Sequence, residues 1–199
     1  MLRLYIHPEN PQPRLMQQVV QALNDDKIVI YPTDTCYAIG CKIGNKSGVE
    51  RISRLLQLND KYTFSLLCQD LSQVSQYAEV DNQQFRILKT NTPSEIAFIL
   101  SASKMTPKYL HNKVKQIAIR INQHIINQQL IEQLNEPLLV CDLMVNDEIL
   151  DDPEQIELQF DKLVDVFIDN GYGMSMSSTL VDISTGEIQV LSQGLGEIN

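Results

Sequence analysis

No apolar run in this chain approaches the roughly 20 residues that a membrane-spanning helix needs. The apolar start, residues 1–6, turns polar at Pro8-Glu9-Asn10 and is too short for a secretory signal. A soluble cytoplasmic protein is the expectation. Cysteine is scarce: Cys36, Cys41, Cys68 and Cys141 lie apart in apolar contexts and form no Cys-x-x-Cys pair. That argues against a zinc site or a disulfide framework and for buried free thiols in a reducing compartment. His7, His111 and His124 are far apart, with no cysteine or carboxylate at ligand spacing, so structural or solvated roles are expected and no metal is implied. Repeats, low-complexity tracts and linkers are missing too. Positive charge is outnumbered, with 16 Lys and Arg against 25 Asp and Glu, a net charge of −9. Such a field repels nucleic acid at long range but does not exclude a local basic cleft. Acidic residues gather over 147–169, and basic ones over 104–115 and at Arg120.

What is present suits one globular domain. The chain has 199 residues, 43% of them hydrophobic, enough for a sizeable core. Leu15, Val19, Ala22 and Leu23 recur at helical spacing after the Asn10-Pro-Gln-Pro-Arg14 turn. Strands are predicted at 27–31, 36–43, 63–68, 96–100, 116–121, 138–141, 164–168, 179–183 and 188–191. Helices are predicted beyond 47, with Ser47 as cap, and over 71–77, 82–89, 126–134 and 153–160. Alternating strands and helices argue for an α/β sheet with helical cover. The Ser184-Thr-Gly-Glu187 turn between the last two strands signals a hairpin, so the sheet is predicted to be mixed.

The densest chemistry lies in Tyr31-Pro-Thr-Asp-Thr-Cys-Tyr37. Two hydroxyls and a carboxylate stand together where an apolar strand stops, the usual place for a ligand in an α/β sheet. No glycine falls between Tyr31 and Tyr37, so this is not a glycine-rich phosphate loop. On physics alone, Thr33, Asp34 and Thr35 equally suit a turn whose side chains bond its own backbone. Arg120 suits a surface ion pair as well as a ligand contact. Ser178 and Thr179 suit a strand edge as well as a cleft wall. Met174 and Met176 lie in a segment that could form a mobile rim or an ordinary loop.

The run Tyr-Pro-Thr-Asp-Thr-Cys-Tyr-Ala-Ile-Gly-Cys resembles the opening motif of the Sua5/YciO/YrdC family. So do Phe64-Ser-Leu-Leu67, Thr92-Pro-Ser-Glu-Ile-Ala-Phe-Ile-Leu100, Ile117-Ala-Ile-Arg-Ile121, Glu136-Pro-Leu-Leu139, Ser178-Thr-Leu-Val-Asp182 and Leu191-Ser-Gln-Gly194. Leu67-Cys-Gln-Asp-Leu-Ser72, with Tyr77 and Val80-Asp-Asn82, is similar to the YciO branch in particular. The resemblance implies one YrdC/RibB-like domain over 1–199, a twisted mixed sheet with a concave cleft. It also implies relatives that make threonylcarbamoyl-AMP from threonine, bicarbonate and ATP for tRNA modification, and clefts linked to double-stranded RNA and nucleotides. Thr33, Asp34, Thr35 and Tyr37 would then face threonine or its carbonyl, Arg120 a nucleotide phosphate, and Ser178 and Thr179 the cleft wall.

The match departs from the catalytic pattern. Its Lys-x-Arg positions fall at Leu56 and Leu58, and its Ser-x-Asn positions at Asp142 and Met144. A usual threonine is Ala97, and a usual glycine is Ser94. Leucine supplies no cation for a triphosphate. Asp142 adds a like charge, which at an effective dielectric of about 20 costs roughly 4 kcal/mol at 4 Å, unless Mg2+ bridges the two. The expectation is a YciO-like protein that binds nucleotide or structured RNA, tRNA included, with synthase activity absent or weak. ATP with Mg2+ is the cofactor class that the resemblance suggests. Lys104, Lys108, Lys113 and Lys115, with Tyr109 and His111 among them, would track RNA phosphates and stack on bases if they line the cleft. Two rival readings remain. One is an active synthase in which Lys61 or Lys42 replaces the lost cations. The other is a protein-interaction module, marked by an exposed apolar patch.

Overall fold

The computed structural model describes residues 1–59 and 61–199. In chain order its elements are β1 (Leu2–Tyr5), α1 (Pro13–Asn24), β2 (Val29–Pro32), β3 (Tyr37–Gly40), α2 (Lys46–Leu55), β4 (Ser65–Leu67), α3 (Leu71–Tyr77), β5 (Ala78–Glu79) and α4 (Asn82–Asn91). There follow β6 (Ile96–Ala102), β7 (Gln116–Arg120), α5 (Ile125–Leu134), β8 (Leu138–Asp142), β9 (Met144–Val145), β10 (Glu148–Ile149), α6 (Pro153–Phe160), β11 (Val166–Asp169), β12 (Thr179–Asp182) and β13 (Gln189–Ser192).

Among the described residues, the strands order as β1-β11-β2-β3-β8-β4-β7-β6-β12-β13, with β5 added to β6. The sheet is mixed, as predicted: β1, β11 and β2 run parallel, β3 and β8 turn antiparallel, and β12–β13 is an antiparallel hairpin. β1 was not predicted. It is an edge strand paired with β11, and its pattern of exposure leaves no alternation to read. The β9–β10 hairpin was not predicted either. Asn146 and Asp147 turn it with φ of 53° and 64°, the left-handed pair that a two-residue hairpin requires.

Core residues cover both faces of the sheet. Ile28, Ile30, Ile39, Leu66, Phe98, Ile119 and Phe167 join one cluster beneath α2, α4 and α6, and Val29, Tyr31, Ala38, Leu67, Val140 and Ile168 join a second beneath α1 and α5. Alternation along each strand thus feeds two cores, which is why the strands read as continuous apolar runs. Gly40 is required where β3 meets β8: a Cβ there would lie 1.9 Å from the Leu139 carbonyl oxygen. The cap of α2 is Asn45, not Ser47. The Asn45 carboxamide oxygen accepts from the Gly48 N–H at 2.8 Å, and the Ser47 hydroxyl donates to that same oxygen at 3.1 Å. All four cysteines are buried and free, as expected. Arg3 gathers part of the acidic region, meeting Glu154, Glu157 and Asp169.

Candidate functional site

A cleft of about 710 Å³ opens at the strand ends. The loop after α2 forms one wall with Leu56, Leu58, Asn59 and Tyr62. The β9–β10 hairpin forms the next with Met144, Asn146 and Asp147. Ala97, Ser178 and Ser192 stand opposite, and Arg120 and Asp142 line the floor.

Arg120 ends β7 and is 1% exposed. Its guanidinium donates to the Asp34 carboxylate and, at 2.9 Å, to Thr35 Oγ1. Asp34 sits on the turn between β2 and β3, brought there because Thr33 folds the turn on itself. Thr33 Oγ1 donates to the Cys36 carbonyl at 2.7 Å and accepts from the Thr35 N–H at 3.1 Å. The self-bonded turn is present in part, and the other side chains are taken up by Arg120. Thr33 bonds its own backbone, while Asp34 and Thr35 engage Arg120. The ion pair expected for Arg120 exists too, but it is buried. Burial raises the Asp34 pKa above its ordinary value, and this outweighs the lowering by Arg120. Behind the pair, Asn122 Nδ2 reaches Asp34 at 3.3 Å and Asn127 Oδ1 at 2.9 Å, and Asn127 Nδ2 donates to the Pro32 carbonyl at 2.9 Å. This amide chain holds the turn against α5. Asn122 follows Arg120 by two residues, but nothing in its sequence context marks it.

The Arg120 Nε is buried without a hydrogen-bond partner. Such an unpartnered buried donor is an exception among native polar groups. Asp142 ends β8 opposite Ala38, and its carboxylate receives the Cys36 thiol, which burial and this neighbour push well up from its ordinary pKa. Among the described lining residues, the charged side chains are Arg120, Asp142 and Asp147. With Asp34 cancelling Arg120, the cleft is net acidic. The positions where cations were expected, Leu56 and Leu58, line it as hydrocarbon, as does Met144.

The remaining sequence candidates divide. Ser178 lines the cleft with Ser177. Thr179 is fully buried, and its hydroxyl donates to the Gly196 carbonyl and accepts from the Gly194 N–H at 2.9 Å, so it fastens the C-terminal segment. Tyr37 is fully buried away from the cleft lining. Its hydroxyl donates to the Gly171 carbonyl at 2.7 Å and accepts from the Asn170 N–H at 3.2 Å, while its ring meets Phe167 edge-on. Tyr37→Phe is expected to cost about 1–2 kcal/mol in urea unfolding and to leave cleft ligand affinity within twofold. A large affinity loss at unchanged stability would return Tyr37 to the binding surface.

Lys104, Lys108, Lys113 and Lys115 are exposed on the 103–115 segment, and none is among the cleft-lining residues. Tyr109 is half-buried, and its hydroxyl donates to the Ile43 carbonyl at 2.8 Å. Lys42 is held by Asn24 at 3.0 Å and Glu136 at 3.3 Å, away from the cleft lining, and cannot stand in for the missing cations. Lys61 is exposed and does not line the cleft, although Asn59 and Tyr62 do. Met174 and Met176 are 50% and 47% exposed just before the lining serines. Among the described residues, no group of three or more His, Cys, Asp or Glu could hold a metal ion.

His124 stands at the N-cap position of α5 near Arg120 without a side-chain capping bond, and its Nδ1 is buried and unpartnered. Burial, then the Arg120 charge, lowers its pKa to about 4. The unfolded chain takes up that proton near pH 6.5 and the folded chain does not. Stability is therefore lost as pH falls from about 6.5 to 4, by about 3 kcal/mol at most. His124→Gln is expected to flatten that limb in urea titrations run at each pH. An unchanged limb would remove His124 as its source.

Fold and site together define a mixed α/β domain with an acidic, half-apolar cleft at its strand ends. The Sua5/YciO/YrdC family model, described as telomere recombination, matches residues 21–194. The YciO protein of Escherichia coli K12 is 41% identical over 197 residues, covering 98% of this chain and 96% of that protein. The crystal structure of Escherichia coli YciO superposes with a TM-score of 0.95 and covers 99% of this chain and 98% of that one. The threonylcarbamoyl-AMP synthase of Pseudoalteromonas translucida is 24% identical over 175 residues, 85% of this chain and 93% of that enzyme. The chain belongs to the Sua5/YciO/YrdC family, as a YciO-like member related to threonylcarbamoyl-AMP synthases. No helix among the described residues is long and apolar enough to cross a membrane.

Proposed function

We propose that this protein binds a nucleotide-class ligand in its cleft and has absent or weak threonylcarbamoyl-AMP synthase activity. The observation that carries this reading is the lining itself. A triphosphate brings about four negative charges and is stabilised by cations held against its oxygens. Here Leu56 and Leu58 stand on the wall, Asp142 and Asp147 add negative charge, and Arg120 is already paired with Asp34. ATP therefore does not fit the donor set, and no catalytic step is routed through it. Mg2+ has no ready-made protein cage among the described residues.

Structured RNA is the larger ligand of the same chemical class. The exposed lysines over 104–115 would serve it from outside the cleft, so the cleft and the lysine segment are separable by mutation. Isothermal titration of ATP, with and without threonine and Mg2+, tests the central claim. Dissociation constants in the millimolar range or weaker are expected, with no coupling to threonine. Micromolar ATP binding that tightens with threonine, together with turnover, would overturn the reading.

A further inference from the structure

The misfit between this cleft and a phosphate chain has a positive side. The lining presents three kinds of surface to one small volume. Leu55, Leu56, Leu58 and Met144 offer a hydrocarbon face. Asp142 and Asp147 offer acceptors and no donors when ionised. Arg120 is 1% exposed, and its Nε donor has no partner. A ligand that satisfies all three has an apolar face, hydroxyl or amino donors for the carboxylates, at least one acceptor for Arg120, and no net negative charge.

We propose that the cleft selects a neutral ribonucleoside and discriminates against its 5′-phosphorylated forms. A base supplies the apolar face and ring acceptors, and ribose supplies a pair of hydroxyl donors suited to a carboxylate. A phosphate added to the same molecule would lie within the field of Asp142 and Asp147, with Asp34 neutralising Arg120. Like charges a few ångströms apart repel, at an effective dielectric of about 20, by enough to reverse a preference for nucleotides. Discrimination here is built from an unfavourable charge contact as much as from favourable ones. The cleft volume of about 710 Å³ is in the range of small-molecule sites. This inference rests on the nucleotide-class reading above for the base and ribose, and replaces its phosphorylated ligand by the unphosphorylated nucleoside.

The test is a calorimetric titration of the full chain with adenosine, guanosine, cytidine and uridine, each beside its 5′-monophosphate and its triphosphate. At least one nucleoside is expected to bind about tenfold more tightly than its own monophosphate, and the triphosphate more weakly still. Asp142→Asn is expected to narrow that ratio toward unity, because the amide keeps the hydrogen-bonding shape but drops the charge. Leu56→Lys is a second probe at a half-buried wall position and is expected to bring the ratio to about unity, since one added cation supplies about tenfold toward the phosphate. A nucleoside that binds no better than its monophosphate overturns the selectivity. Absence of any nucleoside heat at millimolar concentration overturns it as well, while leaving the low-synthase reading intact. Triphosphate binding that is tightest and threonine-coupled would remove both.

Discussion

Arg120→Ala is expected to lose about 3 kcal/mol of stability, an unfolding midpoint lower by roughly 10 °C. The guanidinium is 1% exposed and bonds Asp34 and Thr35, so its removal opens a cavity and strands a largely buried carboxylate. The loss is expected to depend on pH in a defined direction. Burial already raises the Asp34 pKa against the pull of Arg120, and removing that pull raises it further. A carboxyl with a raised folded pKa favours the fold below its unfolded value and disfavours it as pH climbs through the folded one. The penalty of Arg120→Ala should therefore grow from pH 4 to pH 8. Asp34→Asn/Arg120→Ala should recover a large part of it, since the buried charge goes with its partner. Urea unfolding of the four members of this cycle reads the coupling. A double-variant loss equal to the sum of the two single losses would mean that the pair contributes nothing as a pair.

Leu56→Lys/Leu58→Arg is expected to tighten ATP binding by about 100-fold. Each new cation on the cleft wall supplies about 1.4 kcal/mol toward the phosphates, and each such increment is tenfold. Both leucines line the cleft and are half-buried, so their replacements reach the ligand space without disturbing the fully buried core. The gain should shrink as salt rises from 50 to 500 mM, because ions screen it. Leu158→Lys is the control for each single added charge: Leu158 is 85% exposed on α6, so it changes net charge without entering the cleft. A similar gain in that control would mean that total charge, and not cleft placement, governs phosphate binding.

Much of the fold was legible because apolar periodicity is a local property. The helices α3, α4, α5 and α6 fall where their spacing put them, and the β12–β13 hairpin forms at its turn residues. β1 escaped because a short edge strand carries little pattern, and the β9–β10 hairpin because its strands have two residues each. Part of the site was legible too. Thr33, Asp34, Thr35, Arg120, Asp142 and Ser178 do gather at or beside one cleft, and the leucines that replace cations do line it. Tyr37 and Thr179 carry hydroxyls in the same motifs, but each bonds backbone from a distant segment.

The sequence by itself determined the two-sided apolar strands, the strand-end turn with its oxygens, and the absence of cations at two wall positions. These are consequences of residue type and spacing over short stretches. Tertiary structure alone decided the rest. It placed Arg120 against Asp34 across 86 residues of chain, ran the Asn122–Asn127 amide chain behind them, and kept the lysine segment out of the cleft. Hydrogen-bonding capacity belongs to a residue, but which partner fills it depends on strands paired far apart in sequence. The charge of the cleft is likewise set by which side chains the folded sheet turns toward one another, not by their order along the chain.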